Sequence, residues 1–386
     1  MAHEIPESYQ GFEQGPIRPP SEAYSLLIRV TRNCPWNRCT FCPVYKGQRF
    51  SLRHVDNVKR DIDAVHRHVE ALRQMADDQG HISQSDVRAA ASFIQLEDLD
   101  AFAAAVHWAS AGMKSIFLQD ADSLIMKPGE LLDIVIHIKR CFPWVLRITS
   151  YARSHTLARI GDEDLKRIGE AGLNRIHVGL ESASDKVLKM VKKGVTKQQH
   201  IDAGIKVKKA GIELSEYVMP GLGGIEFSEE HAIETADALN QINPHFIRLR
   251  TTRIFEGIEL YEHFKAGRFR KCPEEMIVKE IKLLVEKLEG ITSVFKSDHM
   301  NNLLEDVEGE LPDGKEHMIA SLNSFLSLES SQQALYFVGR GVGIFRGVQD
   351  MEDPRRLQAA RSAYDRLGAT PQTVEDIIIE LRKGSL

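Results

Sequence analysis

Cysteine is scarce in this chain, with five among 386 residues. That number excludes a disulfide-built secreted scaffold. No run of about 18 apolar residues occurs, so no transmembrane helix is expected. Neither sign of charge dominates: the formal net charge is -5, and no global field draws the chain to nucleic acid or an anionic membrane. The opening "MAHEIPESYQGFEQGPIRPP" lacks the basic start and apolar segment of a signal peptide. The expectation is a cytoplasmic protein without a membrane partner, and nucleic acid is not the expected partner. In that compartment clustered thiols mean metal or catalysis. Internal repeats and low-complexity segments are absent as well.

What is present is an alternation. Short strand-like runs recur as "YSLLIRV" (24–30), "SIFLQ" (115–119), "WVLRITSY" (144–151), "NRIHVGL" (174–180), "IELSEYVM" (212–219) and "HFIRLRT" (245–251), several rich in β-branched residues. Helical patterns lie between them. Val55, Val58, Ile62, Val65, Val69 and Leu72 recur in steps of three and four, one apolar helix face. "DEDLKRIGEAG" predicts a helix stopped at Gly172. Six strands alternating with helices imply parallel pairing with right-handed crossovers, in an open doubly wound sheet or a partial or full barrel. Both place chemistry at the carboxyl ends of strands. The first crossover, 52–113, must hold at least two helices. After about residue 290 the strand pattern fades, which predicts a mostly helical C-terminal extension. The expected division is a polar arm at 1–23, a core at 24–255 and the extension at 256–386.

Three of the five cysteines crowd into "RVTRNCPWNRCTFCPVYKGQR" (29–49) as C-x4-C-x2-C, directly after the first strand. Thiolates so spaced converge on a metal or cluster. A structural zinc site closes its shell with a fourth protein ligand; an iron–sulfur cluster held by three cysteines leaves one iron for something else.

With the triad, "FLQDADSL" (117–124), "HVGLESASDKVLKMVKKGVT" (177–196) and "MPGLGG" (219–224) in this order, the chain resembles the radical S-adenosylmethionine (SAM) superfamily over about residues 24–255. It is most similar to the branch of oxygen-independent coproporphyrinogen oxidases, tRNA methylthiotransferases and the elongator catalytic subunit. It departs from the commonest triad of that superfamily, C-x3-C-x2-C, by one residue. The resemblance implies an α/β partial (β/α)6 barrel in which Cys34, Cys39 and Cys42 ligate a [4Fe-4S] cluster and SAM binds the fourth iron. Reductive cleavage of SAM then gives a 5′-deoxyadenosyl radical that abstracts hydrogen from a small-molecule substrate. An electron donor such as flavodoxin or ferredoxin is implied with it.

The same resemblance assigns SAM contacts, each with a plainer alternative. Phe41 stands near the adenine or is a core aromatic. Gln119, Asp120, Ala121 and Asp122 receive the SAM ammonium, or the aspartates cap the next helix. Ser150 ends the third strand. Glu181 takes the ribose or methionine moiety or makes a structural salt bridge. Lys193 pairs with the SAM carboxylate or is one more surface lysine. Gly221 opens a glycine loop bordering the adenine. Ser228 reads as a helix N-cap. Arg248 and Arg250 share a face by period two, and Arg253 follows. Asp298 and His299 in "KSDHMNN" are candidate catalytic residues at the substrate, against a structural histidine. Cys141 and Cys272 read as incidental thiols. The rival readings are a zinc-binding α/β module, or an iron–sulfur module for electron transfer or RNA binding without SAM cleavage.

Overall fold

A computed structural model describes residues 8–77, 82–374 and 377. The first part of the expected N-terminal arm, 1–7, and most of the chain's last twelve residues lie outside the described residues.

All six strand segments expected from the sequence are strands: β1 (Leu26–Arg29), β4 (Ser115–Gln119), β5 (Arg147–Ala152), β6 (Leu173–Glu181), β7 (Glu213–Val218) and β8 (Phe246–Leu249). Two-residue strands β2 (Thr31–Arg32) and β3 (Ser51–Leu52) form a separate antiparallel ribbon. After residue 290 the chain is mostly helical, as expected, and carries two short strands in addition. β9 (Val294–Lys296) pairs parallel to β8, and β10 (Gly309–Glu310) pairs antiparallel to β9. Segments of three and two residues are too short to display a period. The mostly parallel sheet runs β1-β4-β5-β6-β7-β8-β9-β10, and helices dominate the C-terminal part of this α/β fold.

Two compact units divide the chain: 1–179 with 192–215, and 180–191 with 216–386. In the first, β1, β4, β5 and β6 pair in parallel register, with Ile28 opposite Leu118 and Leu118 opposite Ser150. The helix Val55–Met75 buries Val58, Ile62, Val65, Val69 and Leu72 against the helices Leu99–Ser110 and Pro128–Cys141. Each such aliphatic burial contributes about 1.5–3 kcal/mol. Among the described residues the first crossover includes the α-helices Val55–Met75, Gln84–Ala91 and Leu99–Ser110. The helix Asp162–Glu170 ends as expected, with Gly172 at φ +125° turning the chain into β6.

In the second unit the helix Gly224–Ile242 packs on Glu274–Lys287, which packs on Lys315–Leu326. Phe325, Tyr336 and Phe345 form an aromatic core, with the Tyr336 and Phe345 rings stacked 5.8 Å apart.

Candidate functional site

The cysteine loop leaves β1 and is closed at its base by the β2–β3 ribbon. Cys34, Cys39 and Cys42 are in no disulfide and are partly exposed. The loop is built from hydrogen bonds its own sequence supplies. Asn33 sits at φ +69° and Asn37 at φ +46°, left-handed positions that asparagine tolerates better than most residues. The Asn33 amide donates to the carbonyl of Arg49 at 2.6 Å, and the Asn37 amide to that of Tyr45 at 2.6 Å. The Asn37 N–H approaches Cys34 Sγ at 3.4 Å.

The four-residue spacer Pro35–Arg38 is where this triad is longer than the common one, and it turns at Asn37. It presents Trp36 outward to a socket of its own. The indole Nε1 donates to the carbonyl of Lys192 at 2.7 Å. The Arg38 and Arg153 guanidiniums each stand 5.1 Å from the ring centroid, a cation–π arrangement. Gly194 has φ +73°, and a Cβ there would stand 2.3 Å from Trp36 Cζ2. Glycine is required at that position twice over.

Asp120 anchors the loop from below. Its carboxylate is fully buried and accepts from Arg29 Nε at 2.8 Å, the Asn33 N–H at 2.9 Å and the Tyr45 hydroxyl at 3.0 Å. Arg29 is held in turn by Glu13 at 2.6 Å, which also takes Arg32 at 2.7 Å. Gln119 spends its side chain on the N-terminal arm: Oε1 accepts from the Gly15 N–H at 2.8 Å, and Nε2 donates to the carbonyls of Gly15 and Ile17. Asp122 accepts from the Arg153 N–H and the Thr156 hydroxyl, and burial pushes its carboxyl up to about 6. Of this stretch only Ala121 is partly exposed. Ser150 is buried in β5 and donates to the carbonyl of Tyr151.

Phe41 is buried, and the Lys193 ammonium stands 5.9 Å from its ring centroid. Arg153 donates to the Lys193 carbonyl at 2.9 Å. Around Cys39, burial pushes the thiol up, Lys193 and Arg153 pull it down, and Cys42 and Cys34 push it up. Three thiols on one pinned loop, with Lys193 and Arg153 acting on Cys39 against the larger effect of burial, are a donor set that fits a cluster carrying anionic thiolate ligands.

In the second unit Glu181 ends β6 at φ +63°, a conformation non-glycine residues adopt at a cost and mostly at functional positions. Its carbonyl accepts from the Met219 N–H at 2.9 Å. Gly221, at φ +81°, gives its N–H to Glu280 Oε1 at 2.7 Å, so a ligand could meet only its other faces. Ser228 follows a kink at Phe227, and its hydroxyl donates to the same buried Glu280 instead of capping a helix N–H. Asp298 and His299 turn to different partners. Asp298 pairs with Arg248, and His299 Nδ1 accepts from the Asn301 N–H at 3.1 Å.

Cys272 is buried, and its thiol is pushed up to about 12 by burial. Cys141 has company the sequence did not reveal: its Sγ, Asp63 and His137 lie within 4.8 Å of one another. Arg140 donates to His137 Nδ1 at 2.7 Å, which places the ring proton on Nε2, facing Asp63 at 2.7 Å. Neither nitrogen keeps a lone pair for an ion, and the group is a hydrogen-bonded triad with Asp63 half exposed.

The family model "Radical SAM superfamily" matches residues 28–237, just over half of the chain. The chain belongs to the radical SAM superfamily. Members of this superfamily use a [4Fe-4S] cluster and SAM. Among curated relatives, the tRNA uridine(34) acetyltransferase of Methanocaldococcus infernus is 26% identical over 31% of this chain. An uncharacterized methyltransferase of Pyrococcus horikoshii is 28% identical over 61%. The aligned part spans 23% of the acetyltransferase and 41% of the methyltransferase. Among solved structures, the coproporphyrinogen III oxidase of Escherichia coli is 11% identical over 68% of this chain and 52% of its own, with a TM-score of 0.45. Among the described residues no helix is long and apolar enough to cross a membrane.

Trp36, Asn33, Asn37, Tyr45, Arg29 and Glu13 were not legible as site residues. Only the two asparagines carried a local signal, as residues that accept positive φ.

Proposed function

We propose that this chain is a radical SAM oxidoreductase or transferase acting on a small-molecule substrate, with a flavodoxin- or ferredoxin-like protein as electron donor. The observation that carries the reading is the pinned loop of Cys34, Cys39 and Cys42 with Lys193 and Arg153 on Cys39. The three thiolates would hold the cluster. When bound, the cluster would supply the one-electron reduction of SAM on which the family's hydrogen-abstraction chemistry depends, the electron coming from the donor protein. Lys193 would hold the SAM carboxylate and Phe41 the adenine side, with Ala121 offering backbone contact to the ammonium. Glu181, already set in its left-handed conformation, would accept hydrogen bonds from the ribose or amino group. Gln119, Asp120, Asp122 and Ser150 would act one step back, holding the loop and strand ends in place. Gly221 would border the adenine through its Cα or carbonyl. His299 would position substrate, with Asp298 holding Arg248 beside it. The relatives named as tRNA acetyltransferases make tRNA the first macromolecule to try if small molecules fail.

The test is anaerobic reconstitution followed by reduction with dithionite in the presence of SAM. The reading expects about four irons and four sulfides per chain, and slow formation of 5′-deoxyadenosine and methionine. A colourless protein with one zinc would place the triad in the zinc-binding reading. An intact cluster that binds SAM and never yields deoxyadenosine would leave the electron-transfer or binding-module reading.

A further inference from the structure

The carboxyl end of β8 carries Arg248, Arg250 and Arg253, and no SAM contact above uses any of them. β9 runs parallel to β8 with Arg248 opposite Lys296, so the residues just beyond both strands emerge at the same end of the sheet. Those after β9 include Asp298 and His299.

This corner is rich in donors. Arg248 is nine-tenths buried; one nitrogen pairs with Asp298, and its Nε is buried with no partner among the described residues. His299 has its Nδ1 occupied by the Asn301 N–H, so the neutral ring carries its proton on Nε2 and offers a donor. Burial above all, then the Arg250 and Arg253 charges, hold the imidazole at about 4, neutral at ordinary pH, against the opposite pull of Asp298. The nearby carboxylate, Asp298, is engaged by Arg248.

The corner is also held rigid. Asn302 Oδ1 accepts from the Thr251 N–H at 2.9 Å and its hydroxyl at 3.0 Å, while Nδ2 donates to the carbonyl of Leu249 at 2.8 Å. Ser297 donates to the Leu304 carbonyl. Arg340 donates to the Asn302 carbonyl at 3.1 Å and pairs with Glu305 at 2.6 Å. One asparagine therefore ties the loop after β9 to the end of β8 before any ligand arrives. Preorganised donors of this kind bind an anion without first ordering the chain.

We propose that Arg250, Arg253 and His299 form an oxyanion subsite that takes a carboxylate or phosphate group of the substrate. Guanidinium forks match both groups bidentately, and the carboxyl ends of parallel strands are where such folds bind ligands. The inference rests on the proposed function for calling the anion a substrate group, but it is scored by binding alone.

Cluster-loaded protein, selectively ¹³C-labelled at histidine, is titrated with inorganic phosphate and, separately, with succinate at low ionic strength. Saturable movement of the His299 signal is expected, together with a rise in its pKa toward the ordinary histidine value. Arg250→Ala and Arg253→Ala should each weaken binding at least about tenfold, the loss of one charged hydrogen bond, and Arg250→Lys should restore part of it. Preference for phosphate or for succinate tells which source the subsite is built for, and either supports it. Absence of saturable movement with both anions, or unchanged affinity in both alanine variants, overturns it. Circular dichroism screens the variants for folding; should an alanine variant misfold, Arg250→Lys against wild type decides. Deoxyadenosine formation by wild type is measured in parallel. Phosphate binding without deoxyadenosine would keep the subsite and remove the proposed function; the reverse would keep the function and remove the subsite.

Discussion

Each unit uses a buried carboxylate to clip a loop, and the two clips are neutralised differently. In the first unit Asp120 holds both limbs of the cysteine loop through Asn33 and Tyr45, with the Arg29 guanidinium 2.8 Å away. In the second unit Glu280 holds the glycine loop through the Gly221 N–H and the helix through Ser228. Among the described residues no lysine or arginine is paired with Glu280; its remaining partner is His231, 3.5 Å away. Burial pushes the Glu280 carboxyl up to about 7 and the His231 imidazole down to about 4. One clip is an ion pair, the other a network at the edge of neutrality. A loop proposed to carry anionic thiolates would gain from an anchor whose charge is already answered. A loop that presents only backbone does not need one.

The largest break in this contrast comes from the thiols themselves. Cys34→Ala, Cys39→Ala or Cys42→Ala should each abolish cluster loading, while Cys141→Ala and Cys272→Ala, both remote core positions, should leave iron and sulfide content unchanged. Iron and sulfide assays with visible absorbance read the outcome. Retention of a full cluster by any triad variant would sink the assignment.

Next is the anchor. Asp120→Ala leaves Arg29 with Glu13 as its remaining carboxylate partner and releases Asn33 and Tyr45 together. Removing one member of a buried pair costs about 3 kcal/mol or more, so the denaturation midpoint of the apo chain should fall and cluster loading with it. Glu280→Gln keeps most of the hydrogen bonds and should cost far less. Equal losses in the two variants would erase the distinction between the clips.

A smaller effect tests the two proposed SAM contacts one at a time. Lys193→Ala acts in the first unit and Glu181→Ala in the second, each with the cluster intact. A lost hydrogen bond to a charged group is worth about 1.5–3 kcal/mol, so SAM affinity should drop roughly tenfold to a hundredfold. Equilibrium binding that is unchanged in both variants would return these residues to structural roles.

The strand–helix alternation and the triad were legible in the sequence because both are local: period, turn residues and spacing lie within a few positions of one another. The loop's supports were not. Trp36 meets Gly194, Gln119 meets Gly15, and Asp120 meets Arg29, across 158, 104 and 91 positions. No one-dimensional pattern announces such pairs. Glu181 was reachable through resemblance, but its left-handed backbone was not, since nothing in glutamate asks for φ +63°. β9 escaped because three residues carry no period, and with it went the register that brings the His299 loop to the end of β8, just before Arg250 and Arg253.

The smallest effect tests the second clip alone, through pH. An acid whose folded pKa is raised, as Glu280 is to about 7, favours folding while protonated. That contribution is complete below the unfolded value near 4.5 and is lost as pH rises through 7. His231 works in the opposite sense. Its folded pKa is depressed to about 4, so its contribution is complete above the unfolded value near 6.5 and is lost as pH falls toward 4. Between about 5 and 6.5 the two slopes oppose each other, and neighbouring wild-type points should differ little on their account. Glu280→Gln removes the falling slope and leaves the rising one. The variant's stability relative to wild type should therefore climb by about 1.4 kcal/mol per pH unit across that window. Urea denaturation of both chains at half-unit pH steps measures it. A difference that stays flat with pH would mean that Glu280 is ionised throughout, held by a cation in the folded protein, and the two clips would then be of one kind.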